Sequence, residues 1–184
     1  LLILIVRTAE LRKAPRPEFD LTGGLWTIAS ERMKKRRKHL VPLPRQAVVL
    51  LEELHEISGN GKHLFPNTRR PKDVMTGTTV NRALEHLGYP SGYFTGHDFR
   101  ATASTLLHEM GYSSVLVEMQ LAHAKKDKVA AAYNHAEHLV ERKAMMQAWA
   151  DWLDKAEADE APIKQHVLDR ARHSMPATER RHAP

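Results

Sequence analysis

"GLWTIASERMKKRRKHLVPL", residues 24–43, decides the fold class. Its two ends, "LWTIAS" and the apolar run from Leu40 to Leu43, read as strands, and the basic residues between them read as the tip of a β-hairpin. Just upstream, "EFDL" reads as a further short strand, separated from the hairpin by the turn "TGG". Downstream of Pro44 the period changes. Val48, Leu51, Leu54 and Ile57 recur at helical spacing, and "SGNGK" ends that helix.

From there the pattern is helical. "HLFPN" reads as a short extended piece, and "TGTTVNRALEHLGY" as a helix with Thr78 or Thr79 as its N-cap. "HDFRATASTLLHEMGY" reads as a helix closed by Gly111, and "SSVLVEMQLAH" as one capped by Ser113. A short helix over "KVAAAYNHA" and a long amphipathic one over "EHLVERKAMMQAWADWLDKAEA" follow, the latter with Leu139, Met146, Trp149 and Leu153 as packing positions. At the other end, "LLILIVRTAEL" reads as the last turns of a buried helix, with Arg7 at its end and two prolines stopping it. The fold class is mainly α with a small antiparallel β-sheet (α+β). Residues 1–157 read as one domain, and the polar, proline-punctuated residues 158–184 as a flexible tail. The abrupt apolar start reads as an internal point of a longer protein.

The chain has 184 residues, 42% of them hydrophobic, and a formal net charge of +6. That balance favours a polyanionic partner, nucleic acid above all. Absence of cysteine excludes disulfides, thiolate-bound zinc and thiol catalysis. No apolar run approaches the roughly 18–20 residues needed to cross a bilayer, and "LLILIV" lacks the flanks of a signal peptide. "HAEH" (135–138) is rejected as a metal pair because no third ligand has suitable spacing. His39, His135 and His138 read as surface residues.

One set of residues carries chemistry. His97 and Arg100 are three apart and share a helix face. In isolation such a pair is cheap, since a capping histidine and a surface ion pair look the same. With Arg7, Lys34, His123 and Tyr133 it supplies each group that breaking a DNA strand through a tyrosine needs. Two guanidinium forks match the oxygens of a phosphodiester and stay charged. A phenol, with a reference pKa of about 10, becomes a better nucleophile beside cations. A lysine on a loop protonates the leaving alkoxide, and two histidines hydrogen-bond the phosphate.

The order Arg, Lys, His-x-x-Arg, His, Tyr resembles the signature of the tyrosine recombinases (the lambda-integrase family), and the text around it resembles the prophage and genomic-island branch. The resemblance rests on "VRTAELRKA", "GLWTIASERMKKRRKHLVPL", "GHDFRATASTLLHEMGY" and "VEMQLAHAKKDKVAAAYNHAEHLVERKAMMQAWADWLD", about residues 1 to 155. It implies a tyrosine recombinase catalytic-domain fold, with the core-binding and arm-binding domains that precede it in the family absent. It implies Arg7 and Arg100 as phosphate clamps, Lys34 as general acid, His97 as the residue that positions the scissile phosphate and assists proton transfer, and His123 as a hydrogen-bond partner of the phosphate from the other side. Tyr133 becomes the nucleophile, giving a 3′-phosphotyrosyl intermediate. Lys35, Arg36, Arg37 and Lys125 become DNA contacts.

No metal and no cofactor are implied. The implied partner is double-stranded DNA carrying attachment sites, bound as a homotetramer, with a monomer when free, no membrane and a bacterial cytoplasmic location. A type IB topoisomerase and a catalytically silent DNA-binding module of the same fold are the alternatives. The chain departs from the branch at "APRPEF", where Arg16-Pro17 stands in place of Arg-Trp. In the family the C-terminal segment often docks on a neighbouring subunit, and "MMQAWADWLDK" has the apolar face for that or for packing on its own domain.

Overall fold

The computed structural model describes residues 1–33, 36–59, 61–67, 69–123 and 138–159. Among them are six α-helices and three strands: α1 Thr8–Arg12, β1 Phe19–Asp20, β2 Leu25–Ile28, β3 His39–Pro42, α2 Arg45–Ser58, α3 Thr79–His86, α4 Asp98–Glu109, α5 Ser114–Gln120 and α6 Leu139–Ala158. The strands form one antiparallel sheet in the order β1-β2-β3, with Trp26 opposite Val41 and Ile28 opposite His39. The expected hairpin is present, and β3 starts one residue earlier than its apolar run. No helix among the described residues is long and apolar enough to cross a membrane.

Two apolar clusters make the core. The first lies between the sheet and α2 and contains Trp26, Ile28, Met33, Val41, Leu43, Ala47 and Leu51. Period-2 burial along β2 places Trp26 and Ile28 on the covered face. Phe19 stacks on Trp26 at 4.8 Å, and the Trp26 indole N–H donates to Glu18 at 2.9 Å. The second cluster lies between α4, α5 and α6 and contains Ala103, Leu107, Val117, Leu121, Met145, Met146 and Trp149. Gly111, at φ +88°, closes α4 in the left-handed conformation that glycine adopts without strain.

The N-terminal segment is the seam between them. Leu4 and Val6 pack into the first cluster and Ile5 into the second. This corrects the expectation of a buried helix ending at Arg7. Residues 4–6 are buried on every side, so their apolar run has no helical period to preserve, and Ile5 takes a left-handed φ of 56°. The helix begins after Arg7. On α2, Leu51 is buried and Val48 and Leu54 pack on the core, whereas Ile57 is exposed. Arg16, at the departure from the branch pattern, opens a 3₁₀ turn and donates from Nε to Gly61 O at 2.9 Å.

The apolar face of α6 is spent inside its own domain. Met145, Met146, Trp149 and Ala150 are fully buried, and Trp149 donates its indole N–H to Leu2 O at 3.2 Å and stacks on Trp152. Trp149→Ala is expected to cost about 3–5 kcal/mol by lost transfer energy plus the cavity left behind. Urea unfolding followed by circular dichroism measures it, and a cost under about 1 kcal/mol contradicts the packing described. The tail expected over residues 158–184 falls, from residue 160 onward, outside the described residues.

Candidate active site

Arg7 stands at the N-cap position of α1 with extended backbone. Glu10, three residues on and buried, accepts from the Arg7 main-chain N–H at 2.9 Å and from Nη1 at 2.7 Å. One carboxylate thereby satisfies a free N–H of the first helical turn and fixes the guanidinium. The other arm, Nη2, lies 3.5 Å from the carbonyl oxygen of Ala122, a long contact.

Arg100 lies in the first turn of α4. The turn is held by Asp98, whose carboxylate accepts from the Thr95 N–H and hydroxyl, both at 2.7 Å. Those bonds hold the Asp98 carboxyl below its usual range. Gly96 lets α1 approach, because a Cβ there would meet the Thr8 hydroxyl at 2.9 Å. Arg100 is buried, and its fork bridges two remote chain segments. Nη1 donates to Ile5 O, and Nη2 donates to Leu121 O at 2.7 Å. Burial pushes its pKa down to about 10 and the neighbouring Arg7 pushes the same way, while Glu10 and Glu118 act against them. It stays charged at neutral pH.

Each guanidinium thus has one arm facing a carbonyl of two consecutive residues, Leu121 for Arg100 and Ala122 for Arg7, and His123 comes next. Ala122 has a φ of 51°, so the chain turns out of α5 at this point. His123 is exposed, and its Nδ1 lies 2.7 Å from Glu118 Oε2. His97 is the N-cap residue of α4, one turn before Arg100 on the same face, exposed, with no side-chain capping bond. The capping role open to it from the sequence is filled by Thr95 and Asp98.

The structure thus draws Arg7, Arg100 and His123 to the end of α5 and sets His97 one helical turn from Arg100. Arg36 and Arg37 are exposed beyond the 3₁₀ turn Ser30–Arg32, Arg36 with a φ of 51°. Lys34, Lys35, Lys125 and Tyr133, with His135, lie outside the described residues. His39 is a correction. It is buried rather than on the surface, because the first residue of β3 faces α5, with Nε2 3.2 Å from Gln120 O. His138 is half-buried and 3.7 Å from Glu141.

Sequence reasoning missed Gln120 and Arg142. The three-residue spacing of Arg7 and Glu10 already offers the ion pair that the structure shows at 2.7 Å. Arg142 falls on the apolar stripe 142, 145, 146, 149, 153, and a charge on such a stripe signals a buried polar contact. Gln120 carries no comparable signal.

Comparison with known proteins identifies the family of the chain. The family model described as "Phage integrase family" matches residues 1–139. The integrase of Enterobacteria phage P4 is 43% identical over 168 residues, covering 83% of this chain and 38% of that protein. Prophage integrase IntA of Escherichia coli (strain K12) is 38% identical over 157 residues, covering 85% of this chain and 38% of that protein. The crystal structure of XerA recombinase superposes with a TM-score of 0.56 at 20% identity, over 75% of this chain and 54% of that one, which shows a shared fold. The chain spans about two fifths of the length of the curated relatives it matches. With the family pattern matched across three quarters of its residues, this chain belongs to the phage integrase family.

Proposed function

We propose that this chain is the catalytic domain of a site-specific DNA recombinase of the integrase type, which cuts and rejoins DNA strands through a covalent tyrosine intermediate. The observation that supports it best is the gathering of Arg7, Arg100 and His123 around residues 121–123, with both guanidiniums fixed by groups of the protein itself. A phosphodiester gains charge on its non-bridging oxygens as a fifth oxygen approaches, and prearranged cations stabilise that charge without reorganising. His123 and His97 donate to the same oxygens.

Tyr133 attacks phosphorus in line, its phenol proton passing to His97, which returns it when the step reverses. The bond from phosphorus to the 5′ oxygen breaks, Lys34 gives that oxygen a proton, and the strand ends as a 3′-phosphotyrosine beside a free 5′-hydroxyl. Attack by the 5′-hydroxyl of a partner strand reverses the step and releases the phenol. The phosphodiester energy is kept in the intermediate. Lys35, Arg36, Arg37 and Lys125 contact backbone phosphates, which position DNA without reading its sequence. Attachment-site DNA held in a tetramer, in a bacterial cytoplasm, completes the reading.

The test is covalent trapping. Labelled duplex nicked beside the cleavage point loses its short strand after attack, so the adduct cannot religate. A protein-linked band on attachment-site DNA, absent on scrambled duplex, is expected in denaturing electrophoresis. Trapping on any duplex argues for a topoisomerase-like enzyme, and no trapping on any DNA argues for a silent binding module.

A further inference from the structure

Arg142, on α6, is the anomaly of the core. It is fully buried, and among the described residues it has no carboxylate partner and its Nε and Nη1 have no acceptor. Burial pushes its pKa down to about 10, so it stays charged. A buried cation in this state is costly. A residue that breaks the packing rule without a gain in stability points to a demand other than packing.

Its remaining nitrogen shows the demand. Nη2 donates to Leu40 O on β3 at 2.6 Å and to Gln120 Oε1 at 2.7 Å. Gln120, also fully buried, donates from Nε2 to Leu4 O at 3.1 Å. Leu4 directly precedes Ile5, and Gln120 directly precedes Leu121. Ile5 and Leu121 are the two residues whose carbonyls receive the arms of Arg100. The Gln120 side chain thus pins the chain one residue behind both acceptors. Because each peptide unit is planar, pinning one leaves the next carbonyl only the rotations at the residue between them. Leu40 belongs to the strand that leaves the basic hairpin, so Arg142 ties that strand to the same point.

We propose that Arg142, acting through Gln120, is a positioning residue that holds the Ile5 and Leu121 carbonyls at the spacing Arg100 requires. Its effect on strand cleavage rests on the proposed function, whereas its effect on Arg100 does not. Arg142→Met, Gln120→Leu and the double variant test it in this chain. Arg142→Met relieves the buried charge and leaves Gln120 Oε1 and Leu40 O without this donor, so the melting temperature falls by only a few degrees. DNA affinity stays within about twofold, while the rate of covalent adduct formation falls about 10–100-fold, the range seen when a residue that orients a ligand is removed. The double variant falls no further than the worse single one, as for residues acting in one chain of contacts.

An unchanged rate in Arg142→Met, or losses that multiply in the double variant, overturns the proposal. Should Arg142→Met fail to fold, Gln120→Leu carries the same readouts. The Arg100 Nε–H resonance in ¹⁵N NMR without DNA gives a second decision. It is sharp in the parent and broadens or shifts in Gln120→Leu, and an unaltered signal overturns the proposal. A parent that traps no DNA removes the functional reading and leaves this measurement to decide the positioning role.

Discussion

Arg100→Lys is expected to lower the rate of covalent DNA trapping about 10²–10³-fold, the loss seen when one prearranged donor to a developing oxyanion is removed. Charge is conserved in this change, so the loss isolates geometry. The Arg100 fork reaches Ile5 O with one arm and Leu121 O with the other, joining the seam segment to the end of α5. A lysine ammonium is a point donor on a flexible stem and cannot span both acceptors while facing a phosphate. Single-turnover trapping against time measures the rate, and filter binding measures affinity, which rests mainly on other phosphate contacts. A trapping rate within about threefold of the parent would remove Arg100 from the phosphate clamp.

Tyr133→Phe has the larger effect. It deletes one oxygen and leaves the ring. If that oxygen is the nucleophile, no protein-linked DNA forms at any time, however tightly DNA is held, because no covalent route remains. Equilibrium binding changes by about twofold or less, since the phenol is one contact among many phosphate contacts. Residual adduct in Tyr133→Phe, at a fixed fraction of the parent's, would place the nucleophile elsewhere.

The hairpin and the described helices after Pro44 were legible because their signals are local, while the short helix expected over "KVAAAYNHA" lies outside the described residues. Period-2 burial at Trp26 and Ile28, the period change at Val48 and Leu51, and Gly111 after α4 each follow from a few neighbouring residues. The N-terminal segment was not legible. Leu4, Ile5 and Val6 face two different clusters, and an apolar run buried on all sides looks alike whether helical or extended. Ile57 sits on the helical stripe yet is exposed, because no described residue covers the end of α2 at that position. Arg7, Arg100 and His123 were singled out through the order of residue types, and the structure brings them to the end of α5. The bonds that fix them were hidden, since Arg100 reaches 95 residues back to Ile5 O and 21 forward to Leu121 O, and no spacing rule encodes such distances. His39 was misread because a polar residue opening a strand next to a basic loop looks solvated, and only the later placement of α5 buries it.

Main-chain oxygens, not acids, take both arms of Arg100. A carbonyl dipole can aim a guanidinium without cancelling its formal charge. Arg7, gripped by Glu10, is partly neutralised, so the two cations are unequal partners for an incoming anion. The unliganded protein consequently keeps a poorly hydrated monopole in reserve, and its field is already in place before any anion arrives.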